Sequence, residues 1–305
     1  MAELRESILK VIAYFDMFSH PVTMEEIHQF LDQPVRNKDL EPALRQLLDK
    51  QLIWRLGRFY SLRNDPQLEQ RRLNGNMLAV RRLKLARRIA RVLAWCPYIR
   101  GIGISGSLSK NVAHEGSDYD FFIITAANRL WIARTFQHFF VKTFSWLRLR
   151  YFCCLNYYID EQALEIEERN IFTATEVVTL LPACGKRSFQ NFAAANQWAH
   201  DFIPNAVFRK VPAREISSWP LKRCLEWVLN NRLGDRLDNA LMKYFSKRWG
   251  TLMSKGEFTT TGFLLGSMMI KKHLCKPMPQ HFQEKILGRF EQKVTDIKNQ
   301  EVIAS

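Results

Sequence analysis

One segment, residues 102–125, limits what this chain can fold into more than any other stretch. Within it, an apolar run that predicts a strand leads into the pair Gly106-Ser107, and a second apolar run begins directly after Asp118 and Asp120. Residues two apart on a strand point to the same face, so we expect the two carboxylates to project together. Two such carboxylates repel each other unless a cation lies between them, and their oxygens suit Mg²⁺ or Mn²⁺. The segment therefore predicts a divalent-metal site at the start of a buried strand.

The Gly106-Ser107 pair predicts a tight turn that binds phosphate. A glycine allows the backbone to approach a ligand closely, and the turn offers backbone N–H groups together with the Ser107 hydroxyl. Lys110 follows the turn and either neutralises a bound triphosphate or is an ordinary surface lysine. A phosphate-binding turn next to a divalent-metal site is typical of phosphoryl or nucleotidyl transfer.

This motif resembles the signature of the DNA polymerase beta-like nucleotidyltransferase superfamily. The resemblance consists of Gly106-Ser107, ten intervening residues, then Asp118-x-Asp120 followed by an apolar run, with Ser117 directly before the first aspartate. It implies that Asp118 and Asp120 bind Mg²⁺ or Mn²⁺ and that Gly106, Ser107 and Lys110 bind the phosphates of an NTP such as ATP. The implied reaction is attack of an acceptor hydroxyl on the α-phosphorus, with release of pyrophosphate. The acceptor stays open between RNA such as tRNA, DNA, a protein and a small molecule.

The position of a third acid is the main departure from the superfamily. Its members often carry a third acid on the next core strand, which is predicted here at residues 150–159. That strand has Asn156 at its centre, and the nearest carboxylate, Asp160, lies at its end. Either residue takes the catalytic position of the third acid, or two acids suffice. Because an asparagine cannot act as a general base, nucleotide binding without turnover is the alternative.

Residues 1–65 predict a separate N-terminal unit. Helical spacing of apolar residues indicates three helices, and two short runs on either side of Gly57 indicate a β-hairpin. Three helices followed by a two-stranded wing resemble a winged-helix domain. The third helix carries acids as well as bases, so both DNA binding and protein contact stay open.

Residues 66–97 predict a long amphipathic helix that links this unit to the core. One face is strongly basic, and no acid follows Glu69. That face is either merely solvated or binds RNA, DNA or anionic lipid. The candidate nucleic-acid-binding residues are Arg81, Arg82, Lys84, Arg87, Arg88 and Arg91.

These elements predict an α+β fold. We expect a small mixed-sheet nucleotidyltransferase core at residues 98–170 and an all-helical region at residues 171–305. In the superfamily that the motif resembles, such helices commonly cover the nucleotide and select the acceptor, so the resemblance implies this role for the helical region.

Composition narrows the classes of partner that this protein is expected to bind. The net charge of +15 and the pI of about 9.7 favour polyanions such as nucleic acid, nucleotides or an anionic membrane. The six cysteines show no metal-ligand spacing, and no signal peptide or membrane-spanning run is visible, so we expect a cytoplasmic protein. Two functions remain, an active nucleotidyltransferase and a non-catalytic winged-helix regulator with a nucleotide-binding, transferase-like domain.

Overall fold

The computed structural model describes residues 2–143, 153–209, 215–217, 219–254, 267–278 and 282–303. The helices are α1 (Ala2–Asp16), α2 (Met24–Phe30), α3 (Asn37–Asp49), α4 (Pro66–Leu93), α5 (Gly106–Ser109), α6 (Leu130–Thr143), α7 (Ile171–Thr179), α8 (Lys186–Ala195), α9 (Pro220–Val228), α10 (Arg232–Ser254) and α11 (Phe282–Ile303). The strands are β1 (Trp54–Leu56), β2 (Phe59–Ser61), β3 (Ile99–Ile104), β4 (Tyr119–Thr125), β5 (Cys153–Asp160), β6 (Leu181–Cys184), β7 (Ser267–Ile270) and β8 (Leu274–Met278).

The N-terminal unit contains the three helices and the hairpin that the sequence predicts. β1 and β2 pair antiparallel, and Val22 adds an isolated bridge to Tyr60. α2 begins with a capping box, in which the Thr23 side chain accepts a hydrogen bond from the Glu26 N–H and Glu26 accepts one from the Thr23 N–H. The faces of the helices that meet are apolar and fully buried at positions such as Ile8 and Ile27.

A six-stranded mixed sheet forms the centre of the molecule. Its order is β6-β3-β4-β5-β8-β7; β4 and β5 run parallel, and all other neighbours pair antiparallel. β3 and β4 are almost entirely buried because both sheet faces are covered, which explains their continuous apolar sequences. The predicted α+β class with a mixed sheet is therefore confirmed.

The prediction that residues 171–305 are all helical is wrong. β6, β7 and β8 come from this region and form both edges of the central sheet. β6 has four residues and follows α7 after a single residue, so its apolar sequence looks like the end of that helix. Its Pro182 is tolerated because β6 is an edge strand, where a missing N–H costs no ladder hydrogen bond. Pairing with β3, which is distant in sequence, decides the conformation of β6.

α4 joins the N-terminal unit to the sheet as a single long helix. Its Arg72 side chain is buried and donates hydrogen bonds to Glu26 (2.6 Å) and to His20 Nδ1 (2.7 Å). The guanidinium also lies 5.5 Å from the centre of the Phe59 ring. Because both of these hydrogen bonds run to groups of the N-terminal unit, Arg72 fixes that unit against α4.

No helix in the described part of the chain has the length and apolar character needed to cross a membrane.

Candidate active site

The turn after β3 lies directly against the Asp120 carboxylate. Antiparallel pairing places Ile104 opposite Phe121, and the Ser105 N–H donates to the Asp120 carbonyl (3.0 Å). Gly106 has φ +65°, and a Cβ added there would lie 2.3 Å from Asp120 Oδ2. Only a glycine therefore allows the turn to approach this carboxylate so closely. Ser107, the next residue, is half-buried at the start of the short α5.

Asp120 occupies a strongly acidic environment. Burial, followed by the nearby charges of Asp118 and Glu176, raises its pKa to about 6, and Lys110 opposes this rise. The effect of the Asp118 charge on the pKa of Asp120 agrees with the expectation that the two carboxylates lie near each other. Three acidic side chains and Lys110 thus lie close together, and this concentration of negative charge favours a bound divalent ion.

Lys110 belongs to this cluster and is not a fully solvated surface lysine. Its Nζ lies 2.6 Å from Glu176 Oε1 and donates to the Gly106 carbonyl (3.3 Å). The side chain thus reaches back over the turn that the sequence predicts as the phosphate site. Its charge is compensated by Glu176 in this structure.

Glu176 was missed from the sequence. It is the one charged residue of α7, whose sequence is otherwise apolar or threonine. A single carboxylate in such a helix is the signal that would have identified it, since an isolated half-buried acid needs a partner. The partner is Lys110, which is distant in sequence and is brought to Glu176 by the fold.

The structure does not bring Asp160 to the site, so the alternative that it supplies the third acid is wrong. β5 runs parallel to β4, and the register pairs Asp160 with Thr125 while Cys154 pairs with Asp120. At about 3.3 Å per residue, five residues place Asp160 roughly 17 Å from Asp120 along the sheet. Its fully buried carboxylate accepts hydrogen bonds from the Asn128 and Gln162 N–H groups (2.9 Å each) and contacts His273. Asp160 is a structural residue of the opposite sheet end.

Asn156 lies on β5 closer to the aspartates. The register between β4 and β5 shifts after Asp120, and Asn156 falls within this irregularity, before the pairing of Phe122 with Tyr157. The Asn156 side chain lies outside the described part of the structure. Only its backbone position therefore supports Asn156 as the residue in the place of the third acid.

The basic face of α4 divides into two groups. Arg82 donates to the carbonyls of His114 (3.1 Å) and Glu115 (2.9 Å) and also contacts the Ser117 carbonyl. Its guanidinium lies 4.7 Å from the centre of the Tyr119 ring. Arg82 thus holds the connection that ends at Asp118, and it is not displayed for nucleic acid. The other candidates, Arg81, Lys84, Arg87, Arg88 and Arg91, are exposed.

The side chains at the turn fit a divalent cation in part. Asp118 and Asp120 supply carboxylate oxygens, but no group of three or more His, Cys, Asp or Glu residues is gathered for a metal among the residues that the structure describes. Mg²⁺ commonly binds through one or two carboxylates and completes its octahedron with water and substrate phosphate. The two aspartates thus fit an ion that arrives with a nucleotide, and not a permanently caged metal.

No family model matches this chain, and no curated protein or solved structure shows significant similarity to it.

Proposed function

We propose that this protein is a metal-dependent nucleotidyltransferase that moves a nucleoside monophosphate from an NTP to an acceptor hydroxyl. The observation that carries the proposal is the close approach of the Gly106 turn to Asp120, whose pKa is raised in part by the nearby charge of Asp118. A phosphate-binding turn and a carboxylate pair are useful together only if one ligand spans both. A metal-bound triphosphate is such a ligand.

Each group of the cluster has a role in this reaction. Asp118 and Asp120 hold Mg²⁺ or Mn²⁺, which when bound neutralises negative charge on the transferring phosphoryl group. The Gly106-Ser107 turn binds the terminal phosphates. Lys110 exchanges Glu176 for a phosphate oxygen, because a triphosphate brings more negative charge than one carboxylate. Glu176 thereby keeps Lys110 in position before the nucleotide binds.

A second candidate is a non-catalytic winged-helix regulator whose transferase-like domain only binds nucleotide. The pairing of Lys110 with Glu176 favours it, and so does the lack of a three-residue metal-ligand group among the described side chains. Arg36, directly before α3, pairs with Asp39, and Arg45 pairs with Glu41 within α3. Since both arginines are compensated by an acid within about one turn, the predicted recognition helix suits protein contact better than DNA binding.

A transfer assay separates the two functions. The protein is incubated with each labelled NTP and Mg²⁺ or Mn²⁺, in the presence of tRNA, DNA, protein or small hydroxyl-bearing acceptors. We expect label to enter one acceptor class, and transfer to disappear with Asp118→Asn. The matched control is Glu115→Gln, because Glu115 is an exposed acid of the same connection. Nucleotide binding without transfer in every mixture would instead establish the regulator.

Replacing Lys110 with methionine should weaken nucleotide binding about tenfold or more, since one charge-assisted hydrogen bond contributes roughly 1.5–3 kcal/mol. Binding is measured by titrating a labelled, non-hydrolysable NTP analogue in the presence of Mg²⁺. Lys38→Met is the matched control, because Lys38 is exposed in the N-terminal unit. Equal affinity of the Lys110 variant and the wild-type protein would remove Lys110 from the phosphate site.

A further inference from the structure

α10 has two apolar faces, and only one of them is buried in the protein. On the buried face, Asp238 accepts a hydrogen bond from the Ile132 N–H (2.9 Å), and Phe245 stacks on Trp131 with ring centres 5.9 Å apart. These contacts dock α10 on α6. A second set of large apolar side chains points away from that contact.

The outward set forms a stripe that we call the α10 stripe, Leu233, Leu237 and Tyr244. Residues spaced by four and seven positions lie on one face of a helix. All three are exposed, Leu233 to 63% of its surface. Exposed apolar side chains scattered singly need no explanation, but a row aligned along one helix face indicates a surface that another phase or molecule covers.

Positive charge lines both sides of the stripe. Arg236, Lys243 and Lys247 lie along one edge and Arg248 along the other, and all four are exposed. Arg248 also donates to the Tyr244 hydroxyl (3.3 Å). No acid of α10 opposes them, because Asp238 is buried and Asp235 pairs with Arg129 (2.6 Å). The occupant of this face is therefore apolar at its centre and negatively charged at its rim.

α9, which directly precedes α10 in the chain, also carries exposed apolar side chains. Leu221, Trp227 and Val228 are exposed, Trp227 to 80%. A Cβ added to Gly234 would lie 1.8 Å from the Leu229 carbonyl, so α9 ends tightly against the first turn of α10. A tryptophan beside a leucine-rich stripe with flanking bases is the composition of helices that lie in a membrane interface.

We infer that α9 and α10 form a docking surface for an anionic lipid bilayer, with the α10 stripe in the acyl boundary and the flanking bases at the headgroups. Nucleic acid fits less well, since exposed leucines contribute nothing to contacts with phosphate. A second copy of the chain would bring the basic edges of two stripes together, and their repulsion opposes pairing. This inference is independent of the proposed transferase activity.

Vesicle co-sedimentation of the full chain tests the surface. Vesicles of phosphatidylcholine alone are compared with vesicles that also contain phosphatidylglycerol, at low and high salt. We expect the wild-type protein to bind the anionic vesicles at least tenfold more strongly, and added salt to weaken this binding. The catalytic variant Asp118→Asn should bind like the wild-type protein, so failure of one proposal is distinguishable from failure of the other.

Two variants probe the two components of the surface. Leu233→Ser/Leu237→Ser should weaken vesicle binding by about tenfold or more, because insertion of each leucine is lost. Arg236→Gln/Lys243→Gln should weaken binding by about fivefold for each base removed. The matched controls remove an exposed apolar residue (Phe18→Ser) and two exposed bases (Lys38→Gln/Arg55→Gln) in the N-terminal unit. Circular dichroism verifies that every variant is folded.

Three outcomes would overturn the inference. If the wild-type protein does not bind vesicles, or if both test variants still bind them, the proposal that a bilayer docks at this face is excluded. Oligonucleotide binding that the base variant weakens and the leucine variant retains, without vesicle binding, assigns the face to nucleic acid. A concentration-dependent dimer that the leucine variant abolishes assigns it to a second copy.

Discussion

Replacing Asp120 with asparagine is expected to reduce nucleotidyl transfer by at least a thousandfold and, at neutral pH, to make the protein more stable. The loss of transfer follows because the amide removes a charged metal ligand at the reacting phosphate. The gain in stability follows because the carboxylate is largely buried beside Asp118 and Glu176, and an amide of the same shape carries no charge. Opposite effects on activity and stability distinguish a catalytic group from a structural one.

The pKa of Asp120 determines the direction of this stability change and the pH range in which it occurs. Its folded-state value of about 6 lies above its ordinary value of 3.8, so folding favours the protonated form. The stabilisation due to Asp120 is fully present below about 3.8 and is lost as the pH rises through about 6. Roughly two pKa units correspond to at most about 3 kcal/mol, and relaxation of a partly exposed site reduces this to about 1–3 kcal/mol.

Chemical unfolding across the pH range measures this effect. The free energy of unfolding of Asp120→Asn should exceed that of the wild-type protein above about pH 6, and the difference should shrink below it. Added Mn²⁺ with nucleotide should stabilise the wild-type protein and not the variant. Glu115→Gln again serves as the control. A variant that is less stable at neutral pH, or that retains transfer, would show that Asp120 is not a strained metal ligand.

The local part of the site could be predicted because its residues are close in sequence. Gly106 and Ser107 follow the end of β3, and Asp118 and Asp120 lie at the start of β4, so the antiparallel pairing of these consecutive strands brings them together. Strand periodicity and glycine chemistry are sufficient for that inference. The sequence could not show how much of this cluster is buried, which sets the pKa of Asp120.

The distant part of the site depends on strand direction and on long-range pairing. Asp160 failed as the third acid because the parallel direction of β5 turns its end away from the aspartates, and a short apolar run does not reveal direction. Glu176 becomes part of the site because β6, the strand after α7, pairs with β3. The same missed strand made residues 171–305 look all helical. Tertiary pairing overrides local propensity at such short edge strands.

Arg82 shows a third reason why the sequence could not predict the whole site. In the sequence it is one of six similar bases on α4, and periodicity gives no reason to separate it from Arg81 or Arg88. The structure shows that it donates to carbonyls of the connection that precedes Asp118. These long-range contacts with backbone carbonyls, which sequence patterns do not report, assign this base to the scaffold.

Replacing Gly106 with alanine is expected to destabilise the protein by about 2–4 kcal/mol and to abolish transfer. Part of the cost is backbone strain, since φ is +65° and a left-handed conformation costs a non-glycine residue about 1–2 kcal/mol. The rest is the collision of the new Cβ with Asp120 Oδ2, which would lie 2.3 Å away. Moving the carboxylate to relieve that collision also moves a ligand of the proposed metal.

Gly116→Ala is the matched control, because Gly116 lies in the same connection and a Cβ there would meet no atom within 4 Å. Its free energy of unfolding should change by no more than about 0.5 kcal/mol. A double-mutant cycle then isolates the collision, since Asp120→Ala removes the two carboxylate atoms nearest to the new Cβ. We expect Gly106→Ala to cost at least about 1 kcal/mol less in the Asp120→Ala background, the remainder being backbone strain. Additive effects would mean that the turn and the carboxylate do not touch, and the proposed nucleotide site would lose the contact on which it depends.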